Sequence, residues 1–129
     1  MADTYSGGCF CGSVRIEVQG PAMRQGLCHC TDRRAWSATP LTAYALWATD
    51  RVSVVAGEDF LTKFSKTGKT IRMSCKACGG SIMAENPKAG FIDVYPTLLE
   101  GFSFKPEAHI YYGERFLDVP DALPKFRDL

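Results

Sequence analysis

Apolar and polar residues alternate along much of the chain in short segments, which predicts β-strands separated by turns. Residues 13–19 (SVRIEVQ) alternate strictly, as a half-buried strand does, and Gly20 with Pro21 ends this segment. Residues 41–47 (LTAYALW) are rich in aromatic side chains and alternate in the same way. Further strands are predicted at residues 52–55, 60–64, 70–73, 91–95 and 109–112.

Turn-forming residues and weak helical periodicity point to the same class of fold. Residues 67–69 (TGK) are expected to form the turn between two of the predicted strands. Seven prolines and twelve glycines favour many turns and few long helices. The tail, residues 119–129, contains Pro120 and Pro124 and is expected to lie extended against the body. The sequence therefore predicts a mainly β fold, formed as a single domain over residues 1–129.

Composition and charge give no reason to expect nucleic acid or a membrane as a partner. The chain has 129 residues, of which 46% are hydrophobic and 22% charged, as in ordinary globular proteins. Fifteen basic and 14 acidic residues give a net charge of +1, which provides no general attraction to nucleic acid or to an anionic membrane. The first residues lack the apolar run of a targeting peptide, and no apolar stretch could span a bilayer. We therefore expect a soluble cytoplasmic protein.

The cysteines change the picture, because all six lie in close pairs. These pairs are Cys9 with Cys11, Cys28 with Cys30, and Cys75 with Cys78. An even number of cysteines would also fit three disulfides in a secreted protein. The polar N-terminus and the close pairing favour metal ligation in a reducing cytosol instead.

The first and third pairs have the features of a structural zinc site. Zinc in such a site takes four thiolate or imidazole ligands in a closed tetrahedron. Residues 75–80 (CKACGG) and 9–12 (CFCG) place glycines where the chain must turn away from the metal. Burial of the cysteines as small hydrophobic residues remains an alternative, as does a redox dithiol at Cys75 and Cys78. We expect Cys9, Cys11, Cys75 and Cys78 to hold one structural zinc ion.

The second pair is incomplete as a metal site. A catalytic zinc usually has three protein ligands and one open position, whereas residues 28–34 (CHCTDRR) supply two sulfurs. Arg33 stands where a third sulfur would be expected, and it stays protonated and cannot ligate. His29, Asp32 and His109 remain substitutes for the third ligand. Cys28 and Cys30 are therefore candidates for catalysis and for a second zinc.

Three ordered motifs make the chain resemble the glutathione-dependent formaldehyde-activating (GFA) family, also called centromere-protein-V-like. The motifs are residues 7–17 (GGCFCGSVRIE), 28–32 (CHCTD) and 75–81 (CKACGGS). The motif-bearing core covers about residues 5–95, and residues 96–129 are expected to form C-terminal strands and the tail. The resemblance implies a β-rich fold of the Mss4-like type.

The same resemblance implies chemistry and cofactors. It implies a structural zinc on the first and third cysteine pairs. It also implies a catalytic zinc on a C-x-C-x-x-C motif. Cys28 and Cys30 of that motif are present, and Arg33 replaces the third cysteine. Family members are described as carbon–sulfur lyases of the S-(hydroxymethyl)glutathione synthase type, which join formaldehyde and glutathione. A small thiol such as glutathione and an aldehyde are therefore the expected partners.

For such an enzyme, the residues around the second pair suggest how a substrate is bound. Arg33 or Arg34 could pair with a carboxylate of glutathione, although solvated surface arginines are equally consistent with the sequence. Trp36, Tyr44 and Trp47 could line a pocket, but aromatic residues at strand spacing more often belong to the core.

Two other functions remain open at this point. The protein could be a non-catalytic, zinc-stabilised binder of a thiol or small molecule that has lost the second zinc. Residues 63–72 (KFSKTGKTIR) are basic with one aromatic and could contact phosphates, although a solvated hairpin is favoured in a chain of near-neutral charge. The sequence leaves the natural substrate and the oligomeric state open.

Overall fold

A computed structural model of the protein describes residues 3–129, in which ten strands and one α-helix form two sheets and their connections. The strands are β1 (Thr4–Gly8), β2 (Arg15–Gln19), β3 (Arg24–Cys28), β4 (Thr42–Ala48), β5 (Val52–Ala56), β6 (Leu61–Phe64), β7 (Ile71–Cys75), β8 (Ser81–Asn86), β9 (Phe91–Val94) and β10 (His109–Ile110). The helix α1 (Thr31–Ser37) lies between β3 and β4. The prediction of a mainly β fold is confirmed.

The strands form a small sheet and a large sheet. The small sheet has the order β1-β2-β5 and is antiparallel throughout. The large sheet has the order β10-β3-β4-β9-β8-β7-β6, in which β10 pairs parallel to β3 and every other pair is antiparallel. Strands β6 to β9, which follow one another in sequence, are also neighbours in this sheet, and β9 joins them to β4.

The hydrophobic core contains side chains from both sheets. Ile16 and Val18 of β2 are fully buried, while Arg15 and Glu17 are partly exposed, as the alternating pattern predicted. The large sheet contributes Trp47, which is 1% exposed and donates its indole N–H to the carbonyl of Gly20 at 2.9 Å. Other members of this core cluster include Ala45, Met73, Met83, Ile92 and Val94.

The opposite face of the large sheet carries a cross-strand row of directly paired residues. The row consists of Arg24 on β3, Leu46 on β4, Asp93 on β9, Ala84 on β8 and Arg72 on β7. Leu46, Asp93 and Arg72 each lie next in sequence to core residues, whose side chains point to the other face of the sheet. Arg24 and Ala84 are paired in register with members of this row. The pleat therefore turns all five side chains away from the core. All five line a cavity on this face.

Helix α1 and the C-terminal tail lie beside this face. The helix has only seven residues, too few to show a helical period in the sequence, and it begins where the backbone N–H of Arg33 donates to Cys30 Sγ at 3.4 Å. The tail lies along β10, where the His109 N–H donates to the carbonyl of Pro124 at 2.8 Å and the Phe126 N–H to that of His109 at 2.9 Å. The tail thus lies against β10 through these hydrogen bonds.

The strand predictions were right where the pattern alternates and incomplete elsewhere. The segments predicted at 13–19, 41–47, 52–55, 60–64, 70–73 and 91–95 correspond to β2, β4, β5, β6, β7 and β9, and the turn at 67–69 connects β6 to β7. The segment predicted at 109–112 is a strand for two residues only. Strands β1, β3 and β8 were not predicted, because glycines or consecutive buried residues interrupt their alternation. No helix within residues 3–129 is long and apolar enough to cross a membrane.

Candidate functional site

Four sulfur atoms meet in one cluster, which we call the four-cysteine cluster: Cys9, Cys11, Cys75 and Cys78. All four lie within 4.8 Å of one another. The Sγ atoms of Cys9 and Cys11 are 3.7 Å apart, and those of Cys11 and Cys75 are 3.8 Å apart. A tetrahedral zinc with bonds of ~2.3 Å requires sulfur–sulfur edges of about 3.8 Å. The cluster could therefore hold one metal ion.

The cluster joins the two sheets, because its cysteines come from turns at their ends. Cys9 follows β1 of the small sheet, whereas Cys75 is the last residue of β7 in the large sheet. Each pair turns through a glycine with positive φ, Gly12 at 83° and Gly79 at 75°. Only glycine adopts this conformation without strain, so the glycines flanking the cysteines shape the metal site.

Backbone amides support the sulfurs, as expected for ligands that carry negative charge. The Val14 N–H donates to Cys9 Sγ at 3.3 Å, and the Gly80 N–H donates to Cys78 Sγ at 3.4 Å. Cys11 Sγ lies 3.2 Å from the hydroxyl oxygen of Ser13. Hydrogen bonds of this kind orient thiolate ligands around a metal and stabilise their charge.

Cys28 and Cys30 lie away from this cluster, at the wall of the cavity on the outer face of the large sheet. We call this space the cysteine cavity, and its volume is about 590 Å³. Cys28 ends β3 and is 2% exposed, whereas Cys30 precedes α1 and is partly exposed. Tyr44 of β4 also lines the cavity. The more accessible of the two sulfurs is therefore that of Cys30.

Arg33 forms an ion pair with Asp93 at the wall of the same cavity. The Arg33 side chain is 14% exposed and that of Asp93 is 10% exposed, and the guanidinium also lies 5.7 Å from the ring centre of Tyr95. Burial opposes the charge on Arg33, but the Asp93 carboxylate outweighs it and raises the pKa of the guanidinium. Burial in turn raises the pKa of Asp93, against the opposing effect of Arg33. Arg33 therefore remains a fixed cation.

The residues around Cys28 and Cys30 do not fit a second zinc ion. Within residues 3–129, the four-cysteine cluster is the only group of three or more His, Cys, Asp or Glu ligand atoms close enough to share an ion. The substitutes considered for the third ligand, His29, Asp32 and His109, do not complete such a group with the two sulfurs. A guanidinium beside the sulfurs adds a positive charge where a second cation would have to bind.

The two thiols of the pair differ in acidity. The neighbouring Cys28 thiol lowers the pKa of Cys30 to about 6, against the effect of burial, and the N–H of Arg33 acts in the same direction as Cys28. The same contact with Cys30, together with burial, raises the pKa of Cys28. Cys30, whose sulfur is the more accessible, is therefore the more acidic of the two thiols.

A chain of hydrogen bonds under the cysteine pair was not predicted. His29 Nε2 lies 2.8 Å from His109 Nδ1, and His109 Nε2 lies 2.9 Å from an Asp121 carboxylate oxygen. Both imidazoles are fully buried, and the ring of Tyr112 packs edge-on against His29 with centroids 4.9 Å apart. The two histidines are 80 residues apart in sequence, so no local signal joins them. This chain attaches the 28–30 segment to the C-terminal tail.

The other residues predicted to line a pocket lie in different parts of the structure. Tyr44 lines the cysteine cavity, Trp47 belongs to the core, and Trp36 lines a smaller cleft of about 280 Å³ beside the cavity. Arg33 is committed to Asp93 and is not free to bind a substrate carboxylate. Arg34 donates to the backbone carbonyl of His29 at 3.2 Å, which makes its role structural.

Two arginines that the sequence did not single out lie at the ends of the cross-strand row. Arg24 and Arg72 line the cysteine cavity, and within residues 3–129 neither forms an ion pair. The Arg72 guanidinium lies 5.9 Å from the ring centre of Trp36. The predicted strand at residues 70–73 was the only sequence signal for the orientation of Arg72, and Arg24 had none, because β3 was not predicted.

The family model described as "Glutathione-dependent formaldehyde-activating enzyme" matches residues 4–114. No curated protein has a significant match to the chain. Among solved structures, a crystal structure of a protein from Rhodobacter sphaeroides matches with a TM-score of 0.63 at 24% identity. The match covers 76% of this chain and 90% of that one, and it shows a shared fold.

Proposed function

This chain belongs to the glutathione-dependent formaldehyde-activating enzyme family, and from this premise we propose that it acts on adducts of an aldehyde with a small thiol such as glutathione. The proposed reaction is of the S-(hydroxymethyl)glutathione synthase type, in which a carbon–sulfur bond forms or breaks. The observation that carries the proposal is that Cys28 and Cys30, at the position of the family motif, line a cavity of about 590 Å³. Ligand sites typically have volumes of about 300–1,000 Å³.

In this proposal the four-cysteine cluster holds zinc and has no part in the reaction. Four thiolates in a tetrahedron suit zinc, which needs no redox change and no further ligand in a closed site. A closed set of four sulfurs leaves no open position for a substrate. Its role is to stabilise the fold by joining the ends of β1 and β7.

The cysteine cavity offers charges that complement glutathione. Glutathione carries a carboxylate near each end, with its thiol between them. Arg24 and Arg72 lie on opposite sides of the cavity, on β3 and β7, with the strands of Leu46, Asp93 and Ala84 between them. Arginine pairs well with carboxylates. We therefore assign Arg24 and Arg72, in place of Arg33 and Arg34, to binding the thiol substrate.

The second candidate function is a non-catalytic thiol-binding protein. The observation that favours it is the Arg33–Asp93 ion pair, because it stands where the family motif would supply a third zinc ligand. Both candidates use the same cavity and the same arginines. They differ only in whether the protein accelerates formation of the adduct.

The test combines a binding measurement with a rate measurement. Calorimetry should detect glutathione binding to the wild-type protein, and Arg24→Gln and Arg72→Gln should each weaken it. Arg51→Gln removes an equivalent charge from an exposed 3₁₀ turn outside the cavity and should leave binding unchanged. Exchange NMR then measures the rate at which formaldehyde and glutathione interconvert with their adduct.

The outcomes distinguish the two candidate functions. Faster exchange with the wild-type protein supports the enzyme. Binding that depends on Arg24 and Arg72 without faster exchange supports the binding protein. Absence of glutathione binding, or equal weakening by Arg51→Gln, would overturn both.

A further inference from the structure

The cysteine cavity contains a nucleophile that needs no metal. The Cys30 side chain is partly exposed at the cavity wall, whereas Cys28 beside it is buried. Cysteine is the most nucleophilic of the common side chains once it loses its proton, and it forms covalent intermediates without a cofactor. The position of Cys30 therefore allows a small electrophile in the cavity to reach its sulfur.

Arg33 supplies a fixed positive charge at this place. Its guanidinium is held by Asp93, whose own side chain is nine-tenths buried and comes from the middle of the large sheet. Within residues 3–129, Arg33 Nε and Asp93 Oδ1 are buried without a hydrogen-bond partner. Moving the guanidinium away would leave the Asp93 carboxylate buried without its cation, which is costly. The pair is thus a permanent part of the cavity wall.

We propose that the cavity works without a second metal ion: the Cys30 sulfur adds directly to the carbonyl carbon of a small aldehyde, beside the guanidinium that Asp93 holds in place. The choice of an aldehyde rests on the proposed function. The guanidinium supplies a fixed positive charge that can stabilise the negative charge that develops on the carbonyl oxygen.

The step balances without an oxidant or a reductant. The sulfur lone pair forms a bond to the carbonyl carbon, the π electrons of the C=O bond move to oxygen, and oxygen takes a proton. The sulfur of a thiol loses that proton, so the sum is addition of S–H across C=O, which gives a hemithioacetal on Cys30. Reversal releases the aldehyde, and addition of a glutathione thiol to the released carbonyl gives the soluble adduct.

The experiment uses the protein as purified with its metal and ¹³C-formaldehyde, without glutathione. NMR should show a carbon signal of an S–CH₂–OH group on the wild-type protein, and Cys30→Ser should lose that signal. Serine is a good N-cap residue, so this variant should keep the hydrogen bond from the Arg33 N–H and the fold. Formaldehyde adducts on lysines are common to both proteins and cancel in the difference spectrum.

Two further measurements make the assignment specific. Cys28→Ser is the matched control, because it removes the buried sulfur and should keep the signal. Formaldehyde should also slow alkylation of Cys30 by iodoacetamide, as followed by peptide mass spectrometry. An S–CH₂–OH signal that persists in Cys30→Ser, or one lost only in Cys28→Ser, would overturn the proposal.

Metal analysis tests the other half of the inference. One zinc per chain in both the wild-type protein and Cys30→Ser is expected. Two zinc per chain in the wild-type protein, falling to one in Cys30→Ser, would overturn the metal-free site. Failure here is distinct from failure of the proposed function: faster exchange without an adduct on Cys30 would remove this inference alone, whereas an adduct on Cys30 without faster exchange would remove the synthase activity alone.

Discussion

Arg33 of α1 and Asp93 of β9 form an ion pair that joins the helix to the large sheet. The residues are 60 positions apart in sequence, and both side chains are mostly buried. Each charge depends on the other, because an isolated charge in this environment would be strongly desolvated. The pair therefore attaches α1 to the sheet and places a fixed guanidinium at the wall of the cysteine cavity.

Removing one member of this pair should be costly. Arg33→Met leaves Asp93 buried without its cation, and the free energy of unfolding should fall by about 3–5 kcal/mol. Adding Asp93→Asn to Arg33→Met should recover part of that loss. Arg15→Met is the matched control, because its pair with Glu100 is 38% and 73% exposed and such pairs contribute about 0–1 kcal/mol. Equal effects of Arg33→Met and Arg15→Met in urea unfolding would contradict this account.

Metal removal should unfold the protein. Structural zinc contributes an apparent ~10–16 kcal/mol in small peptides, which exceeds the ~5–15 kcal/mol net stability of most domains. A strong chelator, or Cys78→Ser, should therefore abolish the cooperative thermal transition and reduce the bound metal to below one per chain. Cys28→Ser should keep both the metal and the transition. A chelated protein that still unfolds cooperatively would show that the cluster is dispensable.

Completing the cysteine motif should create a second metal site. Arg33→Cys supplies a third sulfur after Cys28 and Cys30 and leaves the Asp93 carboxylate without a cation, so a divalent metal gains both ligands and a charge partner. Elemental analysis should rise to near two zinc per chain. Arg34→Cys places a sulfur one residue away and should remain at one. A value of one for Arg33→Cys would mean that the side chain at position 33 does not reach the two sulfurs.

Stability should depend on pH through His29. Burial lowers the pKa of His29 below the usual ~6.5, with His109, Arg115 and Arg34 acting in the same direction and Asp121 opposing them. The unfolded chain then binds a proton more readily than the folded protein, so stability is full above about pH 6.5 and falls as the pH drops below it. The loss is at most ~1.4 kcal/mol per pH unit for one proton.

Urea unfolding between about pH 7 and pH 5 measures this dependence. His29→Asn removes the titrating group and should flatten the curve over this interval, whatever its effect on stability at pH 7. A wild-type curve that is already flat, or a variant with the same slope as the wild type, would exclude His29 as the group responsible.

The close contact of Gly26 with Tyr44 predicts a size limit on β3. A Cβ atom at Gly26 would lie 2.5 Å from Tyr44 Oη and 2.7 Å from the Ala108 carbonyl oxygen. Gly26→Ala should lower the free energy of unfolding by about 1–3 kcal/mol through overpacking. Tyr44→Phe should relieve part of this cost in the double variant, as measured by a double-mutant cycle. No coupling between the two substitutions would contradict the contact.

Local pattern was sufficient for the fold class and for several strands. Strict alternation in residues 13–19 corresponds to β2, because one face of that strand packs in the core and the other does not. Strands β1 and β3 contain glycines where other chain segments approach closely, such as Leu98 at Gly7 and Tyr44 at Gly26. These glycines interrupt the pattern for reasons that exist only in the folded protein.

The candidate sites also differ in how far local sequence predicted them. Cys75 and Cys78 are close in sequence and flanked by glycines, so their spacing alone indicated a metal knuckle. Asp93 gave no signal, because a single acidic residue in an apolar strand does not show which residue it faces. His109 was considered only as a metal ligand beside Cys28 and Cys30, and Asp121 gave no signal as a partner of this segment.

The sequence by itself determined the mainly β class, the pairing of cysteines and the loss of a third sulfur at Arg33, because these depend on residue identity and on spacing of a few positions. Only the tertiary structure decided what Arg33 does. Its charge is matched by Asp93, on another element 60 residues later, and a buried charge is stable only where folding brings an opposite charge to it. That long-range match distinguishes the four-cysteine cluster, which can hold a metal, from the cysteine cavity, whose wall carries the Arg33 guanidinium.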